Sequence, residues 1–280
     1  MDSDSEVGGT RLTFLRRADD RRRPRFRRGV SLLPSLFTVG NLFCGYACVI
    51  YAMRGDYEAA APFLGFAVVL DMLDGRIARL TGTTSDFGVQ FDSLADVISF
   101  GIAPAVLTFG WGLAPLGRWG WAAGFLFVTA AAMRLARFNI QSAAGGDKRY
   151  FVGMPSPAAA GVPAATVFAY PAGIADYRGS LVALAIVLVP AVLMVSTIRF
   201  RSFKTIDLRS RRPYTVLLLV AGALVLIATE PRWVLVAIAY SYLASAFVGM
   251  ALTKLRAKDV LKDSGKSEQP PDSSRTPAAS

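Results

Sequence analysis

Histidine is absent from all 280 residues. This removes the Ser-His-Asp triad, the HExxH zinc site and every imidazole base, so proton transfer falls to a carboxylate, a lysine or a tyrosine. Cysteine is scarce too: Cys44 and Cys48 are the only two, four residues apart in one apolar stretch. Neither a disulfide framework nor a thiolate zinc site fits, and small buried apolar residues describe the pair better. Charge is thin as well, 18% of residues against 53% hydrophobic, with a mean hydropathy of +0.42. An ordinary soluble domain is excluded and a polytopic membrane protein fits. The net charge of +11 would suggest nucleic acid in a soluble chain. Here its distribution along the chain accounts for it, and no nucleic-acid partner is expected.

Residues 1–33 form a polar, basic arm that includes Arg21, Arg22, Arg23, Arg25, Arg27 and Arg28. The apolar stretch after it is of full spanning length and lacks a small-residue cleavage site, so a cytoplasmic arm is expected rather than a signal peptide. Taking roughly 20 residues per crossing, apolar segments at 35–53, 57–79, 87–111, 119–137, 157–174, 180–198, 214–229 and 233–252 are expected to span. The expected fold is therefore an all-α polytopic membrane bundle of about eight transmembrane helices, with a membrane domain over 34–252 and a disordered cytoplasmic tail over 253–280. Eight crossings put both termini on one side. On that side fall 27 of the 31 lysines and arginines; only Arg54, Arg118, Arg178 and Arg232 fall on the other. The positive-inside rule makes that side, and both termini, cytoplasmic. Trp111, Trp119, Trp121 and Trp233 all fall near the opposite ends, as an interfacial belt would.

Within this apolar frame one stretch is chemically dense: Asp71-Met72-Leu73-Asp74-Gly75-Arg76-Ile77-Ala78-Arg79, continued by Gly88, Asp92 and Asp96. Asp71, Asp74, Gly75 and Ala78 share one helical face, and Gly88, Asp92 and Asp96 share the face of a second helix. The intervening Thr81-Gly82-Thr83-Thr84-Ser85-Asp86 is a turn ending in good N-cap residues. Two antiparallel helices would aim four carboxylates at one another near the cytoplasmic surface. A bound cation is the simplest way to hold so much negative charge, and oxygen-only ligands favour Mg²⁺ or Mn²⁺. Gly75 and Gly88 leave room for a ligand, Ala78 keeps the face shallow, and Arg79 can grip a phosphate bidentately. Together these groups suit phosphoryl transfer from a pyrophosphate. A carboxylate-lined cation transporter, a non-catalytic lipid-binding scaffold and plain helix–helix packing are the competing readings.

The pattern Asp71-x2-Asp74-Gly75-x2-Ala78-Arg79-x8-Gly88-x3-Asp92-x3-Asp96 resembles the complete signature of the CDP-alcohol phosphatidyltransferases, at all eight defined positions. The resemblance implies a homodimer in the cytoplasmic membrane, a cytoplasm-facing site for two metal ions, and a CDP-linked lipid, CDP-diacylglycerol, as donor. It implies Asp71, Asp74, Asp92 and Asp96 as metal ligands, with Asp96 also the catalytic base. Gly75, Ala78, Arg79 and Gly88 would then line the nucleotide and diphosphate pocket.

Further runs bear on the acceptor. Asp92-Ser93-Leu94-Ala95-Asp96-Val97-Ile98-Ser99-Phe100-Gly101, Thr38-Val39-Gly40-Asn41-Leu42-Phe43-Cys44-Gly45, Arg134-Leu135-Ala136-Arg137-Phe138-Asn139 and Gly153-Met154-Pro155-Ser156-Pro157 are similar to integral-membrane phosphatidylserine synthases. This branch implies L-serine as acceptor; sister transferases use glycerol 3-phosphate or an inositol phosphate. By the same resemblance Thr38 and Asn41 join the CDP contacts. Arg134, Arg137 and Asn139 are candidates for the acceptor or lipid phosphate; the alternative for the two arginines is a role as positive-inside anchors. The chain departs from the pattern at Ser35, which follows Pro34 where Asn is expected.

Overall fold

The computed structural model describes residues 32–81, 85–143, 150–196, 199–201, 218, 221–222 and 225–264. The basic arm up to residue 31, most of the segment 214–229 and the tail beyond Ser264 lie outside the described residues.

Helix α1 (Leu32–Met53) and helix α2 (Tyr57–Thr81) form a hairpin. Gly55 makes its turn at φ +76°, a backbone conformation that glycine adopts freely, and Asp56 caps α2 by accepting from the Ala59 N–H at 3.1 Å. A 31-residue rod comes next, Asp86–Leu116. It comprises α3 (Asp86–Val97), a π-turn (Ile98–Ile102), α4 (Ala103–Thr108), a second π-turn (Phe109–Leu113) and a 3₁₀ turn (Ala114–Leu116). Ser85, from the turn expected to end in capping residues, accepts from the Gly88 N–H at 3.0 Å to start the rod. Gly117, at φ +54°, ends it.

Helix α5 (Arg118–Ala143) returns antiparallel, followed by strand β1 (Tyr150–Val152), α6 (Ser156–Ala169), α7 (Tyr177–Val195), strand β2 (Arg199–Arg201) and α8 (Pro231–Ser264). The strands pair antiparallel, Phe151 opposite Phe200, a small ribbon that the all-α expectation did not contain. Buried alanines, with Leu64, Leu107, Phe127, Met154, Val162, Val187 and Met194, fill the centre. Small residues let the helices approach closely, which suits packing in lipid.

Among the described residues, four helices are long and apolar enough to cross a membrane: Ser35–Met53, Asp86–Leu116, Arg118–Gln141 and Tyr177–Val195. The chain is a multi-pass, largely helical membrane protein. Helix α2 is long enough, but it carries Glu58, Asp71, Asp74, Arg76 and Arg79. The expected fifth span, 157–174, is cut short at α6: Pro171 disfavours helix at Tyr170, and the 14 residues of α6 rise only about 21 Å. In the expected seventh span, residues 225–229 are helical. Helix α8 continues twelve residues past the expected end of the eighth span, into the segment read as tail.

Trp119, Trp121 and Trp233 are exposed, in keeping with a belt, but Trp111 is buried in the core. Its indole N–H donates to the Tyr170 carbonyl at 2.7 Å, so it staples the rod to the end of α6 rather than facing lipid headgroups. Cys44 and Cys48 are free and buried, as small apolar residues would be.

Candidate active site

The hairpin of α1 and α2, the first turns of the rod and the far end of α5 converge on one place. One oxygen each from Asp71, Asp92 and Asp96 lies within 4.8 Å of the other two. The spacing read from the sequence explains this: Asp92 and Asp96 stand one turn apart on α3, and α2 presents Asp71 to both. Two oxygens on opposite sides of one Mg²⁺ at about 2.1 Å would stand about 4.2 Å apart, and bridged pairs of ions sit roughly 3.5–4 Å apart. The cluster is therefore of the right size for a hard divalent cation. One further observation supports the fit. Asp92 Oδ1 is buried without a hydrogen-bond partner among the described residues, an arrangement that is disfavoured unless something else binds there.

Asp74 is 6% exposed and lies on the same stretch of α2, but its carboxylate accepts a hydrogen bond from the Thr38 hydroxyl of α1 and is not one of the three clustered groups. Asp96 is 7% exposed and accepts from the Asn41 amide at 3.1 Å. Thr38 and Asn41, expected to touch the nucleotide, thus reach two of the carboxylates from adjacent turns of α1. Both are buried.

Gly75 is partly exposed on α2. The side chains of Ala78 and Arg79 lie outside the described residues, though their backbone continues α2. Gly88 serves the Ser85 cap, and a Cβ there would come within 3.1 Å of the Ser85 hydroxyl. Arg134 on α5 interacts electrostatically with Asp96 and Asp71. Its guanidinium donates to the Ser156 hydroxyl at 3.1 Å and stacks over Phe138, 5.5 Å from the ring centre. Arg137 instead makes a long contact, 3.4 Å, to the Val195 carbonyl at the end of α7, as a helix C-terminus favours. Asn139 donates to the Ser93 hydroxyl at 2.8 Å, tying α5 to α3 beside Asp92.

Sequence reasoning missed Ser93, Ser99 and Ser156 as site residues. Ser99 stands three residues after Asp96 and, fully buried, donates to the Asn41 carbonyl at 2.9 Å. Its spacing from Asp96 was the available signal.

The profile of the CDP-alcohol phosphatidyltransferase family matches residues 31–196, which contain the whole constellation. The chain belongs to this family. A CDP-diacylglycerol–serine O-phosphatidyltransferase of Helicobacter pylori is 41% identical over 176 residues, 62% of this chain and 74% of the relative. One from Mycobacterium leprae is 42% identical over 144 residues, 49% of this chain and 48% of that protein. An archaetidylserine synthase of Methanothermobacter thermautotrophicus is 35% identical over 170 residues, covering 60% and 69%. The protein is thus a phosphatidyltransferase-type enzyme, with an acidic cluster able to hold a divalent cation.

Proposed function

We propose that this enzyme transfers the phosphatidyl group of CDP-diacylglycerol to the hydroxyl of L-serine, giving phosphatidylserine and CMP. The observation that carries the chemistry is the convergence of Asp71, Asp92 and Asp96 within 4.8 Å, with Arg134 facing two of them. Serine as acceptor is supported by the relatives, two named for serine phosphatidyl transfer and one for archaetidylserine synthesis.

Asp71, Asp92 and Asp96 would hold Mg²⁺ or Mn²⁺, with Asp74 the fourth carboxylate of a two-ion site. When bound, the ions supply Lewis-acid stabilisation of the charge on the diphosphate. Asp96 takes the proton from the serine hydroxyl as its oxygen attacks the lipid-linked phosphorus. The bond from that phosphorus to the oxygen of CMP breaks, and CMP leaves with the electron pair. Arg79, with Gly75, Ala78 and Gly88, is assigned to the diphosphate, as the family signature implies. Arg134 is placed for the serine carboxylate or the lipid phosphate, while Arg137 and Asn139 hold α5 in position. Transfer is direct, so phosphorus stereochemistry inverts; retention would contradict it. We assign eight crossings, cytoplasmic termini, a homodimer and a site open to the cytosol at the cell membrane.

The test is CMP release from CDP-diacylglycerol by protein in lipid, with Mn²⁺ or Mg²⁺, with and without L-serine. Serine-dependent CMP that disappears in Asp96→Asn is expected. CMP with glycerol 3-phosphate or an inositol phosphate alone would discard the serine assignment.

A further inference from the structure

Asn41 is fully buried, yet only half of its amide is satisfied. Its nitrogen donates to Asp96 at 3.1 Å, while its Oδ1 is buried without a hydrogen-bond partner among the described residues. Leaving a buried amide oxygen unpaired disfavours the folded state, so an apolar residue of the same volume would serve packing better. The amide is therefore unlike a residue retained for stability alone.

Asn41 is itself held. Its carbonyl accepts from the Ser99 hydroxyl at 2.9 Å, and Ser99 is fully buried. One turn along α1, Gly45 lies so close to the rod that a Cβ there would fall 2.5 Å from Ser99 Oγ and 2.8 Å from Ser99 Cα. Backbone cannot yield at such distances without moving a helix. Ser99 lies in the π-turn Ile98–Ile102, which begins two residues after Asp96 and in which the Ala103 N–H bonds to the Ile98 carbonyl. An inserted π-turn rotates the helix on its N-terminal side relative to the helix on its C-terminal side, and such turns recur at functional sites. Here it brings Ser99 against α1 while leaving Asp96 on the carboxylate face.

We propose that Asn41 is a positioning residue for the reaction: its amide fixes the Asp96 carboxylate, and Ser99, packed on Gly45, fixes Asn41. The proposal rests on the reading of Asp96 as the base, and it replaces the nucleotide contact that the resemblance implied for Asn41. Since it concerns the reacting groups and not the choice of alcohol, it holds for whichever acceptor the enzyme uses.

The experiment measures kcat and KM for CDP-diacylglycerol in Asn41→Leu, Ser99→Ala and the double variant, using whichever alcohol gives CMP with wild type. Failure of the serine assignment therefore leaves the comparison intact. Direct CDP binding and thermal unfolding are measured alongside. Misplacing a reacting group by about 1 Å removes on the order of 100-fold in rate. Asn41→Leu is expected to lower kcat by about 30–100-fold with KM and CDP affinity within about twofold. Ser99→Ala is expected to lower kcat by a few fold, and the double variant to be no slower than Asn41→Leu, because Ser99 acts through Asn41. A rise in KM and loss of CDP affinity at unchanged kcat would make Asn41 a nucleotide contact and overturn the proposal. So would wild-type kcat in Asn41→Leu, or independent, additive effects of the two substitutions. Asn41→Asp, which keeps the size and removes the amide donor, is the second variant. If it folds as wild type and loses kcat as Asn41→Leu does, lost packing is excluded; wild-type kcat would overturn the proposal.

Discussion

Near the start of α2, Glu58 accepts a hydrogen bond and ion pair from Arg232 of α8, and Arg232 also lies 5.8 Å from the Phe168 ring centre. Around them the Trp111 indole bonds the Tyr170 carbonyl, and Asp176 caps α7 by accepting from the Gly179 N–H at 2.7 Å. Each of these named groups has a partner of opposite character. Some 20 Å further along the same helix, Asp71 and Asp74 join Asp92 and Asp96, and among the described side chains one guanidinium, Arg134, faces two of the four. Like charges held together away from bulk water destabilise a fold. One end of the molecule is thus arranged as a structural clasp and the other as a strained receptor able to hold a divalent cation. Charge in a membrane protein therefore has to be read by its partner and not by its presence.

The sharpest way to break this contrast is to remove one carboxylate from the receptor end. Asp92→Asn is expected to lower CMP release by about 10²–10⁴-fold, while the protein without divalent cations unfolds at a higher temperature than wild type, since repulsion has been relieved. Adding Mn²⁺ or Mg²⁺ should raise the unfolding temperature of wild type and shift the variant much less, because an ion stabilises only the state that binds it. An equal shift in both would place the ion elsewhere. Chelation should abolish wild-type activity, and adding the metal back should restore it.

Much of the receptor was legible because it is written in helical spacing. Asp71 and Asp74, then Gly88, Asp92 and Asp96, are separated by three or four residues, and Ser85 stands where a cap was needed. Contacts between helices were not legible. Nothing in the local sequence says that Thr38 turns to Asp74, that Asn41 reaches Asp96, or that Asn139 meets Ser93, because each depends on how two distant faces pack. The π-turns escaped for a related reason: Ile98–Ile102 and Phe109–Leu113 contain ordinary helical residues, and tertiary packing selects the wider turn. Trp111 shows the limit of the belt rule, which fixes depth along a helix and not the direction of an indole.

At the clasp end, a smaller effect is expected from Trp111→Phe. The ring remains in the core, but the Tyr170 carbonyl loses its donor, and a hydrogen bond of this kind contributes about 1 kcal/mol. Thermal unfolding should fall by a few degrees while kcat stays within about twofold of wild type, since the bond sits far from the carboxylates. A large loss of kcat with an unchanged unfolding temperature would mean that the two ends are coupled.

The smallest effect is expected from Glu58→Gln. The pair it breaks is exposed, with side chains 45% and 61% accessible for Arg232 and Glu58. Solvent screens such a pair, and its contribution is at most about 1 kcal/mol. Gln keeps an oxygen that Arg232 can still bond, and the stacking of Arg232 on Phe168 is untouched. Unfolding temperature and CMP release should both stay close to wild type. Arg232 lies beyond residues 31–196, so the pair attaches α8 to the family domain from outside it. Tyr240 and Thr166, 3.0 Å apart, make the same attachment further along α8. Two independent attachments make either one dispensable. Should Glu58→Gln alone release α8, seen as faster proteolysis between residues 196 and 231, the clasp would carry more of the assembly than an exposed ion pair can account for.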